Sequence, residues 1–194
     1  MIFKIVQIGD PVLRAAARPL ERDEIRSPAI KQLIEWMRAT MYDAPGVGLA
    51  GPQIGLSLQI AVIEDRADLL RSIPPEHLEE RKRRPVPFQV LINPRIQTEG
   101  ETVEFFEGCL SVSGFAALVP RFTAVRVDCL DHRGEPTSFR AEGWHARIVQ
   151  HEVDHLSGTV YVDRMLSRTL TTNEHLGRHW NELSVAEIKK RLAV

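Results

Sequence analysis

The chain has 194 residues, with 25 Lys and Arg against 26 Asp and Glu, a formal net charge of −1. That balance excludes a protein drawn by its global field to nucleic acid or an anionic membrane, and no apolar run approaches the roughly 20 residues of a membrane span. Two cysteines do not make a secreted disulfide framework, and Lys4 and Gln7 interrupt the apolar start a signal peptide would need, so a reducing compartment such as the cytoplasm is expected.

In chain order, Gly9-Asp10-Pro11-Val12-Leu13 reads as a turn into an extended start. A helix begins with Ser27 as cap and Pro28 in its first turn, and places Ile30, Leu33, Ile34, Met37 and Met41 on one face. The next segment, Gly46-Val47-Gly48-Leu49-Ala50-Gly51-Pro52-Gln53, matches Gly-x-Gly-x-x-Gly literally. It follows a helix rather than a strand, however, and carries Pro52 where a helix should be under way, so nucleotide binding is not expected. A glycine-rich loop also lets a peptide backbone approach closely. Gln53 closes it with an amide that can donate to a developing oxyanion or simply cap the loop. Residues 58–64 and 88–92 read as strands. Between them, residues 65–87 hold Pro74-Pro75, the run Arg81-Lys82-Arg83-Arg84 and Pro85, which reads as a solvated surface loop or insertion.

Residues 122–130 and 136–141 suggest a hairpin across Asp131-His132-Arg133-Gly134, with Cys129 in the core phase of Val125 and Val127. A helix then runs from about Trp144 to Leu156, with Trp144, Ile148, His151 and His155 on one face. His145, His175 and His179 show no partner pattern and are expected at the surface, with His132 solvated in its turn. A last short helix starts at the capping box Ser184-Val185-Ala186-Glu187 and ends in the charged Lys189-Lys190-Arg191. The fold class is therefore α+β, with mixed or antiparallel strands packed around the central helix. Residues 1–170 are expected to form a single domain, the catalytic one if the chain is an enzyme, and residues 171–194 a C-terminal extension with a short helix.

The chemistry concentrates in Gln150-His151-Glu152-Val153-Asp154-His155. Two histidines at i and i+4 lie on one helical face and can reach one ion. Glu152, one step of about 100° around the helix, stands beside that ion, where a general base belongs. For the third ligand, Glu174 would suit a metalloprotease, although its surroundings do not favour a stable helix. Cys109, in Glu107-Gly108-Cys109-Leu110-Ser111, is the better candidate, since its small and turn-compatible neighbours let a thiolate approach closely. Cys109, His151 and His155 would leave a tetrahedral ion with one open position. A non-catalytic metal or thiol sensor is the alternative that dispenses with Glu152.

In order, Gly46–Gln53, Glu107–Ser111 and Gln150–His155 resemble the three motifs of the peptide deformylase family. Gly9-Asp10-Pro11-Val12-Leu13-Arg14 and Val119-Pro120-Arg121 extend the likeness over roughly residues 5–170. Gly51 stands where the family commonly has alanine. Ser113-Gly114-Phe115-Ala116 and Gly143-Trp144-His145-Ala146-Arg147 look more like the mitochondrial and plastid-type branch, which also has bacterial members. The compartment could then be an organelle, after loss of a transit peptide.

The resemblance implies a deformylase-like fold and removal of the N-formyl group from formyl-methionine on newly made polypeptides. It implies a divalent ion, typically Fe2+ with Zn2+, Ni2+ or Co2+ able to substitute, held by Cys109, His151 and His155. Glu152 would be the general base, with the Gln53 amide and the Leu110 backbone N–H meeting the oxyanion. Val47, Trp144 and Ile148 would wall the methionine pocket, and Gly46, Gly48 and Glu107 would border the peptide backbone. It leaves room for a ribosome contact and a homodimer.

Overall fold

A computed structural model describes residues 1–194. The chain opens with a 3-10 turn at Pro11–Arg14 and two consecutive helices, α1 (Arg22–Arg26) and α2 (Pro28–Asp43). Ser27 starts α2 as expected, its hydroxyl accepting from the Ile30 N–H. A sheet follows, built from β1 (Gly48–Ala50), β2 (Ile60–Asp65), β3 (Val86–Cys109), β4 (Val112–Leu130) and β5 (Pro136–Glu142). These five lie side by side in chain order, every neighbour antiparallel. Helices α3 (Ala67–Leu70) and α4 (Pro75–Glu80) stand between β2 and β3, and α5 (Gly143–Leu156) follows β5. The short strand β6 (Thr171–Thr172) pairs with β4, and α6 (Asn173–His175) and α7 (Val185–Leu192) close the chain.

Strand alternation places the two large helices on opposite faces of the sheet. Ile60 and Val62 pack with Leu33, Ile34, Met37 and Met41 of α2. Their neighbours in β2 point the other way: Ala61 meets Ala50 and Leu156, and Ile63 meets Ala146, Ile148 and Val149 of α5. Burial of each such Leu, Ile or Val contributes about 1.5–3 kcal/mol, so α5 is held by packing along its length. Cys129 lies in this second core beside Val125 and Val127.

Several expectations need correction. The strand expected at 88–92 runs on to Cys109, and β4 begins at Val112 rather than 122. Bulges between Ile92 and Arg95 and between Glu99 and Thr102 break its alternation, which hid its length. Residues 65–87 are not an open loop. They carry α3 and α4, and Asp65 is fully buried in a two-pronged pair with Arg83, at 2.7 and 2.9 Å. His145 stacks on Phe139 and lies 3.0 Å from Gln89 rather than standing free in solvent. The C-terminal residues pack back onto the sheet: Ile188 is buried, and Lys189 pairs with Glu104 at 2.8 Å.

Candidate metal centre

Three segments meet beside the middle of α5. The first runs from the end of α2 through β1, the second is the tight turn where β3 passes into β4, and the third is α5 itself. Gly108 pairs with Ala116 and Cys109 with Val112, so the turn presents the Cys109 thiol toward the helix. The Cys109 sulfur, one nitrogen of His151 and one of His155 all lie within 4.8 Å of one another. Cys109 Sγ is 3.3 Å from His155 Nε2, and the two imidazoles stand edge to face with centres 5.0 Å apart. Glu174 takes no part: it is exposed on α6 and pairs with Arg178 at 2.9 Å.

The residues around this cluster orient it. His151 Nδ1 lies 3.1 Å from a Glu107 carboxylate oxygen; the carboxylate accepts, so Nδ1 carries a proton and Nε2 is the nitrogen left for the cluster. Glu107 is itself gripped by Arg121, at 2.9 and 3.0 Å, and by Arg147, at 2.7 Å. Arg121 also donates to Asp154, which Arg164 holds from the far side. The sequence reading missed this buried network. Its signal was the position of Arg147, one helical turn before His151 on the same face.

The electrostatics favour a cation. Burial works against a charge on His151, but Cys109 and Glu107 beside it hold its pKa well above the ordinary histidine value. Burial, with the charge of His151, keeps His155 well below that value and therefore neutral, the form that ligates. Burial pushes Glu152 up to about 7, against the pull of His151. One Glu152 oxygen is buried with no hydrogen-bond partner, as is His155 Nδ1. A soft thiolate and two imidazoles with a free carboxylate at their side fit a transition-metal ion of the Zn2+ or Fe2+ type.

Gly48 is needed here for a steric reason. A Cβ at that position would overlap the Glu152 carboxylate, so only glycine lets the strand and the carboxylate share the space. Gln53 is buried beneath the cluster: its carbonyl oxygen accepts from the Ala50 N–H at 2.8 Å, and its Nε2 lies 3.5 Å from Cys109 Sγ. Capping the loop and presenting an amide are thus done by opposite ends of one side chain.

The cluster opens into a cleft of about 600 Å3. Gly46, Val47, Gly48, Gln53, Glu107, Cys109, Leu110, Trp144, Ile148, His151 and Glu152 all line it; His155 lies beneath, fully buried. Apart from Glu174, the site residues singled out from the sequence are therefore at or directly under one cleft. Its rim adds residues the motifs did not flag, among them Ile5, Gln7, Phe115 and Asn173.

Fold and site define a class: an α+β protein whose cleft carries a Cys-His-His cluster able to hold a metal ion beside a buried carboxylate. Residues 2–170 match the model of the polypeptide deformylase family. Peptide deformylase 3 of Streptomyces avermitilis is 46% identical over 179 residues, covering 92% of this chain and 78% of that protein. The chloroplastic peptide deformylase 1A of Solanum lycopersicum is 47% identical over 173 residues; the match spans 89% of this chain and 62% of that protein's length. Among solved structures, the class I type b peptide deformylase of Acinetobacter baumannii with Met-Ala-Ser bound superimposes with a TM-score of 0.76. It is 32% identical, and the match covers 85% of this chain and 99% of that one. The chain belongs to the peptide deformylase family and is an enzyme of that kind.

Proposed function

We propose that the protein hydrolyses the N-formyl group of formyl-methionyl peptides at newly made N-termini, releasing formate, with a divalent ion held by Cys109, His151 and His155. The observation that carries this reading is the unpartnered Glu152 oxygen beside the three-residue cluster, at the base of a cleft lined by backbone and apolar side chains. When bound, the ion supplies Lewis acidity and lowers the pKa of water at its open position.

The chain's own residues account for the rest. Glu152 accepts a proton from the water that adds to the formyl carbon. As the C–N bond breaks, the same carboxyl returns that proton to the departing amine, leaving formate and a free N-terminus. A pKa pushed up to about 7 lets one group do both at neutral pH. Gln53 Nε2 and the Leu110 N–H are the donors for the transient oxyanion, each worth roughly 3–4 kcal/mol. Val47, Trp144 and Ile148 supply an apolar wall for the methionine side chain, and Gly46 and Gly48 keep the backbone accessible to a strand-like peptide.

Ferrous iron is the proposed ion, with Zn2+, Ni2+ or Co2+ as substitutes. A thiolate ligand makes a reducing compartment the natural setting, and no helix is long and apolar enough to cross a membrane. Residues 1–170 are proposed as the catalytic unit and residues 171–194 as an extension. The test is formate release from formyl-Met-Ala-Ser by anaerobically ferrous-loaded protein. Release supports the reading; none from protein holding one ion per chain would refute it.

A further inference from the structure

The segment between β2 and β3 ends at the start of the catalytic helix, not in solvent. Gly143, the first residue of α5, has φ +56°, and a Cβ there would lie 2.6 Å from Lys82 Cβ and 2.8 Å from the Lys82 carbonyl oxygen. Lys82 itself adopts φ 46°, a left-handed conformation uncommon for lysine, which turns the chain sharply at the contact. One residue on, Arg83 is locked to the buried Asp65. The segment is therefore fastened to the sheet through Asp65 and to α5 through Gly143.

This fastening brings guanidinium groups onto Trp144. The central carbon of Arg81 is 5.4 Å from the Trp144 ring and 5.8 Å from the Phe105 ring, and that of Arg83 is 5.1 Å from Trp144. Trp144 meets Phe105 edge to face at 6.2 Å. Arg147 also lies over both rings, its central carbon 5.7 Å from Trp144, but it lines the cleft with Trp144, whereas Arg81 and Arg83 lie outside that lining. Arg83 has Asp65 as counter-ion. Arg81 has no carboxylate partner, and its Nε is buried without a hydrogen bond. The contact of its guanidinium with the two rings is what holds it.

We propose that Arg81 is a positioning residue for substrate selection: stacked behind Trp144, it fixes the pocket wall and so keeps the pocket narrow enough for an unbranched first side chain. The proposal rests on the formyl-peptide reading above. It assigns the Arg81–Arg84 run a role inside the molecule, with only Lys82 and Arg84 left exposed.

The test compares wild type, Arg81→Ala and Arg81→Lys, each metal-loaded, on formyl peptides that begin with methionine or phenylalanine. Arg81→Ala should raise KM for the methionine peptide about fivefold with kcat within about twofold, and raise the phenylalanine-to-methionine ratio of kcat/KM about fivefold. Arg81→Lys, which keeps a cation on the ring, should fall between. In a background where Trp36 and Trp180 are phenylalanine, acrylamide should quench the remaining Trp144 emission more readily once Arg81 is alanine. Should Arg81→Ala fail to fold, Arg81→Leu carries the same expectations. A folded variant with KM, selectivity and quenching all within about twofold of wild type would overturn the proposal. A wild-type enzyme inactive on both peptides would instead refute the underlying reading of function.

Discussion

The Glu107 carboxylate accepts a hydrogen bond from His151 Nδ1 at 3.1 Å while Arg121 donates to both of its oxygens, at 2.9 and 3.0 Å. A helix residue of the candidate metal site is thereby tied to β3 and β4 through one buried carboxylate, which sets the angle of the ring.

Glu107→Gln should therefore lower metal affinity by about 10–100-fold, because the amide keeps the shape but not the charge that orients His151. Competition against a chelator measures it. An unchanged affinity would show that the contact orients nothing.

Gly48→Ala should displace the Glu152 carboxylate, since the added Cβ falls on it. Formate release is expected to drop about a hundredfold, with metal content and melting temperature nearly unchanged. Metal analysis alongside steady-state kinetics distinguishes this from general unfolding.

Stability should fall in acid through Glu107. Burial alone would raise its pKa, but His151 and Arg121 hold it well below the ordinary value of 4.5. A carboxylate depressed in the folded state contributes stability that is present above about pH 4.5 and lost as pH falls toward its folded pKa. Melting temperatures of metal-free protein should therefore decline below about pH 4.5, and decline less in Glu107→Gln.

The two cysteines should differ sharply toward thiol reagents. Burial pushes Cys129 up to about 11, with Asp128 and Asp131 adding to it. At pH 8 only about one Cys129 in a thousand is thiolate. Metal-free folded protein should consume one equivalent of a disulfide reagent quickly, at Cys109, and the second only on unfolding. Labelling of Cys129 should rise about tenfold per pH unit up to its pKa. Two fast equivalents at pH 8 would contradict the packing of Cys129.

The site was more legible in the sequence than the scaffold that holds it. His151, Glu152 and His155 could be placed together because helical spacing is a local rule, and α5 obeys it. Cys109 could be joined to them only by chemistry and resemblance, because 41 residues and a β-hairpin separate it from His151. The full length of β3 was hidden because bulges shift its alternation and Pro94 lies within it. Arg81 and Arg83 read as solvated because a run of like charges usually is. What reverses that here is tertiary: a buried Asp65 and an indole at the start of α5 supply partners that no local pattern reveals. The buried role of Arg121 was invisible for the same reason, since both its carboxylate partners come from other elements.

The central claim is that Glu152 moves the proton beside an ion held by Cys109, His151 and His155. It is tested most directly by single-turnover formate release from formyl-Met-Ala-Ser in Glu152→Gln, with metal content determined on the same sample. The account predicts one ion per chain, an intact fold and a rate lower by about a thousandfold or more. A fully metallated Glu152→Gln protein that releases formate at the wild-type rate would contradict it.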